Sequence, residues 1–142
     1  MVILFLRLDA SGRALTLRDT ETGRVYARFF LPREAEFAVT FTHSVNKTDV
    51  TETYALRGGH IVLTGCIYYG FGAGVATELE PGWALRYGEN GEMVVTGIDR
   101  VLPDLRYIVG TVSDHILTIG GESYSLRGLC GQNTHVTFIP AF

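Results

Sequence analysis

Short turn signals recur along this chain at intervals too close for long helices to fit between them. Gly58-Gly59 separates Tyr54-Ala55-Leu56-Arg57 from His60-Ile61-Val62-Leu63. Asn90-Gly91 separates Leu85-Arg86-Tyr87 from Met93-Val94-Val95, and Gly120-Gly121 separates Ile116-Leu117-Thr118-Ile119 from Ser123-Tyr124-Ser125-Leu126. Such dipeptides supply the positive φ that two-residue hairpin loops demand. The flanks alternate with period two. Leu4, Leu6 and Leu8 alternate with Phe5, Arg7 and Asp9, and Ser11-Gly12 then turns the chain to set Leu8 opposite Leu15 and Leu6 opposite Leu17. Gly23 marks a turn before a strand over 24–31, which Pro32-Arg33-Glu34 breaks, and a last strand over 134–139 ends before Pro140. No helical stretch stands out. About eleven or twelve short strands in one stretch of this length predict an all-β chain, a single antiparallel β-sandwich or β-barrel over 1–142.

The bulk properties narrow the function classes. The 142 residues amount to one domain's worth of chain, and 46% apolar with 19% charged is too apolar for a disordered protein. The net charge of -3 offers no basic face to a phosphate backbone, so no nucleic-acid partner is expected. The apolar run Met1-Val2-Ile3-Leu4-Phe5-Leu6 is far short of the roughly 20 residues that cross a bilayer, so no transmembrane segment is expected in this chain. It also lacks the parts of a signal peptide, which leaves a cytosolic protein or a chain whose leader lies upstream. Cys66 and Cys130 exclude the common zinc and Cys-x-x-Cys redox motifs, and no cofactor is expected. Their separation admits either a disulfide or two buried thiols.

The segment from Phe37 to Tyr69 carries the chemistry. Phe37, Val39 and Phe41 share a strand face that His43 continues, while Val50, Glu52, Tyr54 and Leu56 share another. Pairing the two segments with Val39 opposite Leu56 sets Phe41 against Tyr54 and His43 against Glu52. The Gly58-Gly59 turn then brings Leu56 to Ile61, Tyr54 to Leu63 and Glu52 to Gly65. A His–Glu pair is thus expected at the end of an apolar face, where a carboxylate must be paired or reach water.

The loop beyond it reads Ser44-Val45-Asn46-Lys47-Thr48-Asp49-Val50-Thr51 and holds the only lysine among twelve Lys and Arg residues. Hydroxyls, an amide and an ammonium beside an imidazole form an anion-binding set, and they are also ordinary turn residues. The candidate ligand-binding residues are His43, Ser44, Asn46, Lys47, Thr48 and Glu52. The Gly-rich run Gly70-Phe71-Gly72-Ala73-Gly74 lacks the Gly-Lys-Ser/Thr ending of a phosphate loop. It fits a sharp bend or close backbone approach whose N–H groups could help hold an anion, which adds Phe71, Gly72, Ala73 and Gly74.

Three alternatives stand beside binding. A His43–Glu52 pair could simply close the sheet end. A hydrolase would use His43 as base, Glu52 as orienter and Ser44 as nucleophile. However, adjacent strand residues point to opposite faces, and no Gly-x-Ser-x-Gly elbow exists. A metal site would need a third ligand beyond His43 and Glu52, with Asp49 the nearest by sequence. His115 shares a face with Leu117 and Ile119 and reads as a satisfied core-edge histidine, while His60 and His135 read as surface residues.

Several of these motifs together resemble a known family. Thr22-Gly23-Arg24-Val25, the run from Phe37 through Phe41-Thr42-His43-Ser44-Val45-Asn46-Lys47-Thr48, Glu52-Thr53-Tyr54 and Phe71-Gly72-Ala73-Gly74 are similar to the uncharacterised bacterial domain-of-unknown-function family eighteen-fifty. The likeness covers most of the chain and is strongest over 22–75. Asp49 departs from it, standing where the family pattern has Pro. The resemblance implies an accessory role beside tripartite ATP-independent transporters for organic acids, with a small carboxylate or a transporter component as partner. It also implies an extracytoplasmic or membrane-associated location. It implies no established activity.

Overall fold

The computed structural model describes residues 14–31, 36–45, 47–69, 79–110 and 113–141. Its elements run β1 (Ala14–Asp19), β2 (Val25–Phe30), β3 (Glu36–Thr42), β4 (Asp49–Arg57), β5 (His60–Tyr68), β6 (Ala84–Tyr87), β7 (Met93–Thr96), β8 (Arg100–Leu102), β9 (Leu105–Ile108), β10 (Ile116–Ile119), β11 (Glu122–Ser125), α1 (Leu126–Cys130) and β12 (His135–Ala141). The expected all-β architecture is present, with twelve strands among the described residues and one short helix that the period-two pattern concealed. Every strand pairing is antiparallel.

Two sheets form. One has the order β2-β1-β12-β9, the other β11-β10-β3-β4-β5-β7-β6, with β8 also on β5 beyond the end of β7. Neither closes on itself, so the architecture is a sandwich and not a barrel. The three short hairpins fall at Gly58-Gly59, Asn90-Gly91 and Gly120-Gly121 as expected. The expected pairing of Leu6 and Leu8 with Leu17 and Leu15 falls on residues outside the described ones, and over 14–18 β1 pairs with β2 on one side and β12 on the other. The last strand also runs through Pro140, which pairs with Leu15.

Alternation builds the core. Leu15 and Leu17 of β1 are fully buried, and Val136 and Phe138 of β12 join them from the same sheet. Phe37, Val39, Tyr54, Leu56, Ile61, Leu117 and Ile119 face them from the larger sheet. Each such side chain contributes about 1.5–3 kcal/mol by leaving water. Cys66, Val95 and Ile98 form a second, smaller cluster flanked by Tyr68 and Trp83. Cys66 and Cys130 are both free thiols, so the disulfide alternative is set aside.

Two registers decide where the polar groups go. On β3 and β4, Phe37 pairs with Tyr54, Val39 with Glu52 and Phe41 with Val50. The pairing of Val39 with Leu56 is therefore corrected. The loop is shorter than expected because β4 already begins at Asp49. The Thr42 hydroxyl bonds the Asp49 carboxylate at 2.9 Å and the Thr40 and Thr51 hydroxyls meet at 2.8 Å, fixing this register on the outer face. On β4 and β5, Leu56 meets Ile61 and Tyr54 meets Leu63 as expected. A bulge between Thr53 and Tyr54 then shifts the ladder, so Gly65 faces Thr53 and Cys66 faces Glu52. A Cβ on Gly65 would lie 2.8 Å from the Val95 carbonyl and 2.9 Å from the Thr53 hydroxyl. The bare backbone is therefore required where β4 and β7 crowd β5.

Candidate functional site

The β3–β4 connection folds tightly. The His43 N–H donates to the Thr48 carbonyl at 2.8 Å, and the Lys47 N–H donates to the His43 carbonyl at 2.9 Å. Lys47 closes the turn with φ +55°, a left-handed conformation uncommon for a residue with a side chain. The Val45 N–H donates to His43 Nδ1 at 3.2 Å. In neutral His43 the ring proton therefore sits on Nε2.

Gly110 and the residues 113–115 face this loop. The large sheet brings them there, because β10 pairs with β3 and sets Ile116 against Thr40. The start of α1 pins them from behind. The Leu126 N–H donates to the His115 carbonyl at 2.9 Å, and the Arg127 guanidinium donates to the Gly110 carbonyl at 3.0 Å. The Asp114 carboxylate accepts from the Ser125 hydroxyl and, at 2.9 Å, from the Arg127 N–H. Burial raises the Asp114 pKa, but these hydrogen bonds outweigh it and hold the group below the ordinary carboxylate value.

Between these residues and the loop lies a cleft of about 390 Å³, lined by Phe41, Thr42, His43, Ser44, Lys47, Gly110, Ser113 and His115. His115 is 9% exposed and stacks on Phe41 with ring centroids 5.2 Å apart. Its Nδ1 accepts from the Gly110 N–H at 3.2 Å, so its ring proton also sits on Nε2, and no described residue accepts from that proton. Burial lowers the His115 pKa and keeps the imidazole neutral, against the opposing pull of the Asp114 and Glu52 carboxylates. Ser113 Oγ accepts from the Thr42 N–H at 3.4 Å across the cleft. The described lining thus offers an ammonium, hydroxyls and imidazole N–H groups, and none of its residues is an acid. A Cβ on Gly110 would come 2.5 Å from the Ser113 carbonyl, so this wall needs its glycine.

Glu52 is elsewhere. It sits opposite Val39, four residues short of His43 along β3, about 13 Å at the usual rise per residue. The expected His43–Glu52 cross-strand pair does not form. The Glu52 Oε2 accepts instead from the Tyr54 hydroxyl at 2.7 Å and the Tyr107 hydroxyl at 2.6 Å, and the two phenol oxygens are 2.6 Å apart. Tyr107 comes from β9 in the opposite sheet, so this cluster ties the two layers together. Burial, then the neighbouring Glu52 charge, pushes the Tyr54 pKa far up, and burial does the same at Tyr107. Both phenols therefore keep their protons as donors.

Of the candidate residues, the structure brings His43, Ser44 and Lys47 into one cleft. Thr48 contributes its carbonyl to the turn and does not line the cleft. Asn46 and residues 71–74 lie outside the described residues. Sequence reasoning missed Phe41, Thr42, Gly110 and Ser113 as cleft residues, and placed His115 only at the core edge. His115 is both, stacked on Phe41 at the core edge and lining the cleft. The signal available was a glycine, Gly110, and a hydroxyl residue, Ser113, shortly before β10.

The hydrolase and metal alternatives both drew on a His43–Glu52 pair, and Glu52 lies instead opposite Val39. Both cleft imidazoles accept a backbone N–H at Nδ1. No group of three or more His, Cys, Asp or Glu among the described residues could hold a metal ion. No helix of the described residues is long and apolar enough to cross a membrane.

Residues 37–126 match the family model of a domain of unknown function, DUF1850. The chain belongs to the DUF1850 family. The matched span runs from the first core residue of β3 to the first residue of α1, and so contains the whole cleft and the Glu52 cluster. No curated protein and no solved structure matches the chain.

Proposed function

We propose that this DUF1850 domain is a binding module that holds a small carboxylate in the cleft that the β3–β4 loop forms with Gly110, Ser113 and His115. One observation carries the reading: a concave site whose described lining supplies an ammonium and several hydrogen-bond donors and contains no acidic side chain. Such a site favours an anion, and charge-assisted hydrogen bonds to one are roughly twice as strong as neutral ones. A volume of about 390 Å³ suits a small organic acid. The family resemblance to proteins found beside organic-acid transporters supports the choice of carboxylate over other anions. It also supports a role as an extracytoplasmic or membrane-associated accessory domain that presents the acid to a transporter component.

Calorimetric titration with succinate tests this. Binding that falls about tenfold or more in Lys47→Gln and in His115→Ala, with Tm held within a few degrees in the former, supports the reading. Absence of any heat or Tm shift with succinate, pyruvate or citrate overturns it. Turnover of an ester substrate that disappears in His43→Ala would favour the hydrolase reading instead.

A further inference from the structure

Glu52 and Tyr107 lie behind the cleft and touch none of its open space, yet they reach it through one contact. The Tyr107 ring packs against His115 with centroids 5.4 Å apart and against Phe41 at 6.0 Å. Tyr107 is not free to choose its place. Its hydroxyl is held by Glu52 and Tyr54, and its ring meets Phe138 edge-on at 6.1 Å. Tyr54 in turn is 2% exposed and stacks on Phe37 at 5.3 Å. A rigid series therefore runs from the middle of the core, through a carboxylate and a phenol, to the imidazole of the cleft.

We infer that Glu52 and Tyr107 are positioning residues for the carboxylate site, setting His115 so that its Nε2–H meets the ligand. This rests on the binding reading above and deepens it. His115 needs such support. Among the described residues, its ring takes one hydrogen bond, from the Gly110 N–H. A donor that must meet a ligand oxygen within a few tenths of an ångström is held in place by packing and by hydrogen bonds one layer out. Tyr107 supplies the packing and Glu52 supplies the hydrogen bond. The same cluster explains why a half-buried acid is kept on an apolar face although no cation pairs with it among the described ion pairs.

The test compares three substitutions in the intact protein, titrated with succinate while the imidazole 15N shifts of His115 are followed. Tyr107→Phe keeps the ring and removes its anchor. It is expected to weaken succinate about five- to tenfold, the worth of one well-placed hydrogen bond, and to move the His115 shifts. Tyr54→Phe removes a hydroxyl from the same carboxylate and from Tyr107 but leaves the Tyr107–Glu52 hydrogen bond, and is expected to lower Tm without that loss of affinity. Glu52→Ala is expected to behave as Tyr107→Phe, and Glu52→Gln, which still accepts from the phenols, to recover most of the loss. Equal weakening in Tyr54→Phe and Tyr107→Phe would show a general loss of stability and overturn the inference. So would wild-type affinity and unmoved His115 shifts in Tyr107→Phe. If succinate binds and Lys47→Gln weakens it while Tyr107→Phe does not, the positioning role fails and the cleft stands. If the unsubstituted protein takes no carboxylate, the binding reading fails first.

Discussion

The β3–β4 hairpin carries polar groups at two places on one face, and they behave differently. At its centre, Glu52 is enclosed by Tyr54 and Tyr107, and each phenol proton finds an oxygen within 2.7 Å. At its end, His43, Ser44 and Lys47 join His115 around open space, and the His115 Nε2–H is left without an acceptor among the described residues. A polar group on an apolar face is thus no indicator of a site by its type. The difference lies in whether its hydrogen bonds close within the protein.

The largest effect that should separate the two places is at the centre. Tyr54→Ala empties a fully buried position stacked on Phe37 and is expected to cost about 3–5 kcal/mol in a urea titration. A loss under about 1 kcal/mol would mean that the hairpin centre repacks easily and is no firmer than the loop.

Next come two crowded glycines, one at each place. Gly65→Ala and Gly110→Ala both drive a Cβ into a carbonyl, and each is expected to lose about 1–3 kcal/mol. Only Gly110→Ala should also abolish succinate binding, since it displaces the cleft wall. Loss of binding in both would erase the distinction between centre and end.

Acid should act on the rim. His115 has a folded pKa below the ordinary imidazole value of 6.5, so the unfolded chain takes up the proton first. Stability that His115 contributes above pH 6.5 is therefore lost as pH falls through that value towards its lower folded one. Asp114 is likewise depressed below 3.8, and its contribution, present above that value, is lost as pH falls through its folded pKa. Unfolding followed from pH 8 to 2 should show both losses, and Asp114→Asn should remove the lower one. Stability that rises on acidification between pH 7 and 5 would contradict a neutral, buried His115.

Much of this was readable from residues alone. Gly58-Gly59, Asn90-Gly91 and Gly120-Gly121 mark their hairpins because each turn needs a positive φ, and Leu15, Leu17, Phe37 and Val39 fall on buried faces by alternation. The placement of Glu52 was not readable. Its distance from His43 depends on where the loop closes, and Thr48 and Thr51 serve equally well as loop or strand residues until the Thr40–Thr51 and Thr42–Asp49 contacts choose. The bulge at Thr53 leaves no mark either, since it exchanges Gly65 for Cys66 opposite Glu52 without altering the alternation nearby. His115 is more than seventy positions from His43, and only the β3–β10 pairing, which no local pattern encodes, brings them together.

The smallest expected effect is the sharpest separation of function from stability. Lys47→Gly relieves a left-handed backbone at an exposed position and is expected to raise stability by up to about 1 kcal/mol while weakening succinate. A fall in stability would mean that the lysine stem braces the turn, and the loop would then belong with the structural centre.

The rims of the two layers have a consequence for assembly. β2 carries Arg28, β6 Arg86, β8 Arg100, β9 Arg106 and β11 Glu122, so each flanking ribbon among the described residues has an ionised side chain within it. Charges so placed discourage a foreign ribbon from zipping on alongside. Another macromolecule that docks on this domain is therefore steered away from the flanks and towards the turns at its ends, one of which is the mouth where His43 and Lys47 wait.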